Sequence, residues 1–113
     1  MTANAAEQHG RDSHAAAVEV RGECLVASGA LDSRVRDAFS GGLGELLKTN
    51  APVVTVDLTH ADSISSICVG ALVALWIDLR TQGRSMHLQA SPAVLRTLDL
   101  TGLTSVLMRS PGT

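Results

Sequence analysis

The stretch that decides the fold is PVVTVDLTHADSISSICVGALVALWIDLRTQG, Pro52–Gly83. Pro52–Leu58 is a nearly continuous apolar, β-branched run, which predicts a strand buried on both faces. Thr59–Ile64 is polar enough to read as a loop. From Ser66 to Gln82 the apolar residues return with helical spacing, and Gly83 supplies the glycine on which such helices end. A strand feeding a helix in this way is half of a crossover unit, and such units join parallel strands with right-handed connections.

Working outward, VEVRGECLVASG gives two short strands, Ala17–Arg21 and Cys24–Ser28, joined by a tight turn at Gly22-Glu23. After GALD, Asp32 or Ser33 caps a helix whose apolar positions are Val35, Phe39, Leu43, Leu46 and Leu47. Gly41, Gly42 and Gly44 weaken that helix by up to about 1 kcal/mol each relative to alanine. Downstream, Ser85–Ala90 alternates apolar and polar, as a strand with one wetter face does. Ser91-Pro92 then starts a helix through Leu100, Gly102 stops it, and Thr104–Met108 reads as a last strand. The order ββαβαβαβ predicts a single α/β domain over residues 16–109, with a mixed, mostly parallel sheet and packed helices. Residues 1–15 lack any apolar period and read as a flexible N-terminal tail that includes His9 and His14, and 110–113 read as a C-terminal tail.

Composition removes several function classes. The chain has 113 residues, is 45% apolar and carries a net charge of −2. No Lys/Arg run exists, so the electrostatic footprint of a nucleic-acid or membrane-surface binder is missing. Its longest apolar runs fall short of the roughly 18 residues a spanning helix needs, and the first residues do not form a signal segment. These features predict a cytoplasmic protein with no membrane or nucleic-acid partner. Cys24 and Cys68 form no C-x-x-C pair, which predicts free thiols.

Enzyme chemistry finds little support. Asp57, His60 and Asp62 cluster at the carboxyl end of the central strand, where α/β sheets often place sites, but their spacing matches no standard metal-ligand set. The serines of Ser63–Ser66 lack the glycines of a nucleophile elbow, and nothing pairs them with His60 or His87. Gly41–Gly44 sits inside a helical pattern without the strand and Lys-Ser/Thr that frame a phosphate loop. No cofactor, metal or catalytic residue is expected.

The long helix is more informative. At 100° per residue, Cys68, Val69, Leu72, Leu75, Trp76 and Leu79 share one arc, which predicts the core face. The opposite arc holds Ser66, Ile67, Gly70, Ala74, Ile77, Asp78 and Thr81, with isoleucines and small residues where a solvated face carries lysine and glutamate. Either another element covers this arc or it is a docking surface. Ser65 reads as the N-cap and Ser66 as the first helical residue, pointing outward. A phosphate there would meet the positive end of the helix without unfolding it, while adding negative charge to an apolar stripe.

These pieces together resemble the STAS domains of bacterial anti-sigma-factor antagonists. The likeness runs from Val18 to Met108. It is carried by GALD, by VVTVDLTHADSI, by the serine helix start and by RTQGRSMHLQASPAVLRTLDLTGL, in the family's order. In that family the helix start reads D-S-S/T-G-L-G. Its first serine is phosphorylated by an anti-sigma factor that is also a serine kinase, and a serine phosphatase reverses the modification. Aligned here, SSICVG puts Ser65 at the aspartate, Ser66 at the phosphoacceptor, Ile67 at the second hydroxyl residue, Cys68 at the first glycine and Gly70 at the second.

The resemblance implies a non-enzymatic antagonist that binds a kinase-type anti-sigma factor and releases a sigma factor. Phosphorylation would fall on Ser66, ahead of Ser65. Docking would use Asp32, Asp62, Ser63, Ser65, Ser66, Ile67, Gly70, Ala74 and Ile77. The alternative is an unswitched STAS scaffold, or a small-ligand or nucleotide-sensing module in a regulatory complex.

Overall fold

A computed structural model describes residues 16–108; the expectations for the two tails, for His9 and His14 and for the domain's end at residue 109 lie outside them. Strand β1 (Ala17–Arg21) returns through Gly22-Glu23 as β2 (Cys24–Leu31). Arg21 pairs with Cys24 across the turn, and Gly22 has φ 60°, the positive value that a two-residue hairpin requires. A 3-10 turn (Ser33–Val35) leads into helix α1 (Arg36–Lys48), and β3 (Val53–Ile64) feeds α2 (Ser66–Thr81). Then come β4 (Ser85–Ala90), α3 (Pro92–Leu100) and α4 (Thr104–Leu107). The strands lie in the order β1-β2-β3-β4, the first pair antiparallel and the others parallel.

One face of the sheet makes the core. Leu25, Ala27 and Leu31 of β2, Val54, Val56 and Leu58 of β3, and Met86 and Leu88 of β4 are buried with Phe39, Leu43 and Leu46 of α1 and Cys68, Val69, Leu72, Leu75 and Leu79 of α2. The alternate residues Val53, Thr55 and Asp57 are half-buried, and His87 and Gln89 are exposed. The strand expected to be buried on both faces is therefore fully buried on one and half-buried on the other. Its second face carries Val53 and β-branched Thr55, which suit a pleated surface without needing full cover.

Strand β2 runs past the expected Ser28 to Leu31, and two later boundaries depart further from expectation. The polar Thr59–Ile64 stretch is not a loop, because β3 stays paired with β2 through Ala30↔Ser63 and Leu31↔Ile64. The register slips between Val26 and Ser28 and again between Gly29 and Ala30. Each slip inserts one extra residue into β3, so its buried positions step from Leu58 to Ala61 to Ile64 in threes rather than twos. Gly29, with φ 79°, stands opposite Ala61 between the slips. The second difference is Thr104–Leu107, which is one helical turn and not a strand. Leu103, Val106 and Leu107 have helical spacing and turn toward the core, while the Thr104 hydroxyl donates to Asp99 Oδ1 (2.5 Å).

Side chains fix how the helices meet the sheet. The Arg84 guanidinium donates to the carbonyl oxygens of Leu46 (3.2 Å), Leu47 (2.9 Å) and Ala51 (2.7 Å) and to Thr49 Oγ1 (3.0 Å), closing the end of α1. Ser91 Oγ accepts from Val94 N–H (3.2 Å) as the cap of α3 and donates to the Ala61 carbonyl (2.7 Å). That second bond braces β3 between its two bulges.

Candidate functional site

Asp32, Ser63, Ser65 and Ser66 lie at the junction where β2 and β3 end and α2 begins, and the other helical candidates follow down α2. Ser65 N–H donates to the Leu31 carbonyl (2.8 Å), so the end of β2 lies against the start of the helix. Ser65 Oγ accepts from Cys68 N–H (3.4 Å), and Val69 N–H donates to the Ser65 carbonyl (2.9 Å) as the helical ladder begins. Ser65 is thus the N-cap, and Ser66 is the exposed first residue of α2. Asp32 caps the 3-10 turn next door, accepting from Arg34 N–H (3.0 Å) and pairing with its guanidinium (2.8 Å). These Arg34 bonds, the side-chain ones first, hold the Asp32 carboxyl below the usual carboxylate range.

Cys68 joins the two segments. Its thiol is fully buried, with Sγ 3.8 Å from the Asp32 carbonyl oxygen. The position that aligns with a glycine in the motif therefore carries a side chain here, directed under the helix and against the 3-10 turn. Cys24 is half-buried on β2, and both thiols are free.

Along α2 the two arcs separate as the helical spacing predicts. Cys68, Val69, Leu72, Leu75 and Leu79 are buried, and Trp76 is half-buried with the Arg80 guanidinium 4.9 Å from its ring centroid. Ser66, Ile67, Gly70, Ala74 and Ile77 are all exposed, with Ile67 at 44% and Ile77 at 49%. No described element covers this arc. Asp62 and Ser63 sit exposed near the end of the bulged strand, Ser63 opposite Ala30. Of the nine candidate residues, Asp32 and Ser65 are half-buried and the other seven exposed, those on α2 spanning roughly 16 Å of helix.

Sequence reasoning missed the contribution of α1. A groove of 190 Å³ between α1 and α2 is lined by Ser40, Leu43, Gly44, Leu47, Ala71, Ala74, Leu75 and Asp78, and it borders the exposed arc. Gly41 and Gly44 were the available signal. They weaken a helix, and no neighbouring atom would contact a Cβ at either position.

The Asp57, His60, Asp62 cluster divides. Asp57 accepts from the Thr59 hydroxyl (2.7 Å) and N–H (3.0 Å), which hold its carboxyl below the usual range. His60 is exposed, its Nδ1 3.2 Å from Thr59 Oγ1. No group of three metal-ligating side chains occurs among the described residues. No helix of the described residues is long and apolar enough to cross a membrane.

A family model described as the Mlab STAS domain matches residues 9–109. The chain belongs to the STAS domain family. Solved STAS-like structures share its architecture. An anti-sigma factor antagonist from Mycobacterium paratuberculosis has a TM-score of 0.68 at 24% identity, covering 85% of this chain and 84% of that one. A candidate anti-sigma factor antagonist from Thermotoga maritima gives 0.65 at 18%, covering 86% of each chain. The anti-sigma factor antagonist SpoIIAA in its unphosphorylated form gives 0.62 at 19%, covering 79% of this chain and 82% of that one. At such identities the likeness establishes a shared STAS fold. No curated protein matches the chain.

Proposed function

We propose that this STAS domain is an anti-sigma-factor antagonist, a regulatory binding protein and not an enzyme. It docks a kinase-type anti-sigma factor on the surface of Asp32, Asp62, Ser63, Ser65, Ser66, Ile67, Gly70, Ala74 and Ile77, and so releases a sigma factor. The observation that carries this reading is the uncovered apolar arc of α2 with an exposed serine at its head. Phosphate on Ser66 would be tolerated by the helix N-terminus and would oppose an apolar or acidic partner surface. A serine phosphatase would restore binding.

The test is to incubate the protein with a kinase-type anti-sigma factor and ATP, and to compare wild type, Ser66→Ala and Ser66→Asp in pull-downs. The reading expects capture by wild type and Ser66→Ala, loss in Ser66→Asp, and a phosphopeptide mapping to Ser66. Equal capture by all three without a mass increase refutes the switch.

A second reading, an unswitched STAS scaffold in a regulatory complex, is favoured by the residues around the acceptor. Ser65 supplies the cap without the charge of the motif's aspartate, and Cys68 fills the glycine position. Partner capture without phosphorylation supports this version. A ligand-sensing module would instead show a raised melting temperature in a nucleotide and lipid screen.

A further inference from the structure

The exposed arc of α2 is complementary to itself. Ile67, Gly70, Ala74 and Ile77 are spaced three, four and three residues apart, the spacing of a seam along which two helices lie side by side. The seam is also symmetric about Leu72. In an antiparallel pair with its two-fold axis beside Leu72, Ile67 meets Ile77 of the second copy and Gly70 meets its Ala74. Small residues then lie at the crossing and half-exposed isoleucines close both ends. A Cβ at Gly70 would have no atom within 4 Å, so packing inside the protein gives no reason for glycine there. Close approach of a second helix does.

Charge fits the same arrangement. The pairing places Asp78 of one copy beside Ser66 of the other, at the positive end of that copy's α2. The Asp78 carboxylate is exposed and makes no ion pair among the described residues. The Ser66 hydroxyl can donate to it.

We propose that a second copy of this chain covers the seam as an antiparallel α2–α2 pair, and that negative charge at residue 66 opposes it. The proposal rests on reading this arc as the docking surface and adds that the free protein occludes it. Dimerisation and partner capture then compete. Four layers of one helix pair make a small interface, so the dimer is weak and depends on concentration.

Sedimentation equilibrium of the full chain from roughly 10 µM to roughly 1 mM tests this. Wild type is expected to show a monomer–dimer equilibrium. Gly70→Gln, with a side chain at the crossing, stays monomeric yet melts no lower than wild type; Ala74→Gln is a second block. Ser66→Asp weakens the dimer about tenfold, and adding Asp78→Asn restores most of the loss. A wild type monomeric throughout overturns the proposal. So does a dimer that survives Gly70→Gln and Ala74→Gln, since it forms elsewhere. A monomeric wild type that still captures an anti-sigma factor overturns the dimer alone, and a dimer that captures none overturns only the docking reading.

Discussion

Replacing Ser91 by alanine should remove two bonds made by one hydroxyl. Ser91 Oγ accepts from Val94 N–H at 3.2 Å and donates to the Ala61 carbonyl at 2.7 Å, at a residue 7% exposed. Loss of an N-cap costs about 1 kcal/mol. Loss of a buried hydrogen bond costs about another 1 kcal/mol. The expected destabilisation is therefore about 2 kcal/mol, and at about 4–8 °C per kcal/mol for a domain of this size the melting temperature falls by about 8–16 °C. Urea unfolding with an unchanged m-value checks that the loss is in stability and not in two-state behaviour. Ser91→Thr keeps the hydroxyl and should recover most of it. A Ser91→Ala protein within about 0.5 kcal/mol of wild type would refute the idea that this hydroxyl braces the bulged part of β3.

Arg84→Lys should lower stability by about 1–2 kcal/mol in chemical denaturation, because a single ammonium cannot reach the carbonyls that the planar guanidinium serves together. Gly41→Ala should raise stability by about 0.5–1 kcal/mol, since its Cβ enters open space. Gly42→Ala should gain less or lose stability in the same melts, because its Cβ would stand 2.6 Å from Leu25 Cδ1 and 3.2 Å from Val20 Cγ2. Asp57 has a folded pKa below its unfolded value, so its stabilisation is complete above about pH 4 and is lost as pH falls through the folded value. Thermal melts from pH 7 down to about pH 3 should accordingly fall less steeply for Asp57→Asn than for wild type.

The punctuation of the fold was legible residue by residue. Ser65 and Ser91 each offer a hydroxyl three residues before a backbone N–H, and that role depends only on local chain geometry. The core arc of α2 was equally readable, because helical spacing sorts its residues without reference to neighbours. What escaped were features set by pairing between distant segments. Thr59–Ile64 reads as loop because its two bulges replace period two with steps of three, and the bulges exist only in register with β2. Ser33–Val35 tightened into a 3-10 turn ahead of α1, where Asp32 answers Arg34. At the site, the exposed Ser66 and the apolar make-up of the arc were readable from one helix, but whether another element covers that arc was not. The Cys68–Asp32 contact and the groove shared with α1 arise only when separate elements pack.

The extended pairing of Thr59–Ile64 changes what the proposed recognition at Ser66 would require. Six residues leading to the serine are already held in a strand. A flexible loop of that length would lose backbone freedom on binding, at about 1–2 kcal/mol for each residue fixed. Under the docking proposed above, most of that ordering would be complete before any encounter, so less of the contact energy at the head of α2 would go into it.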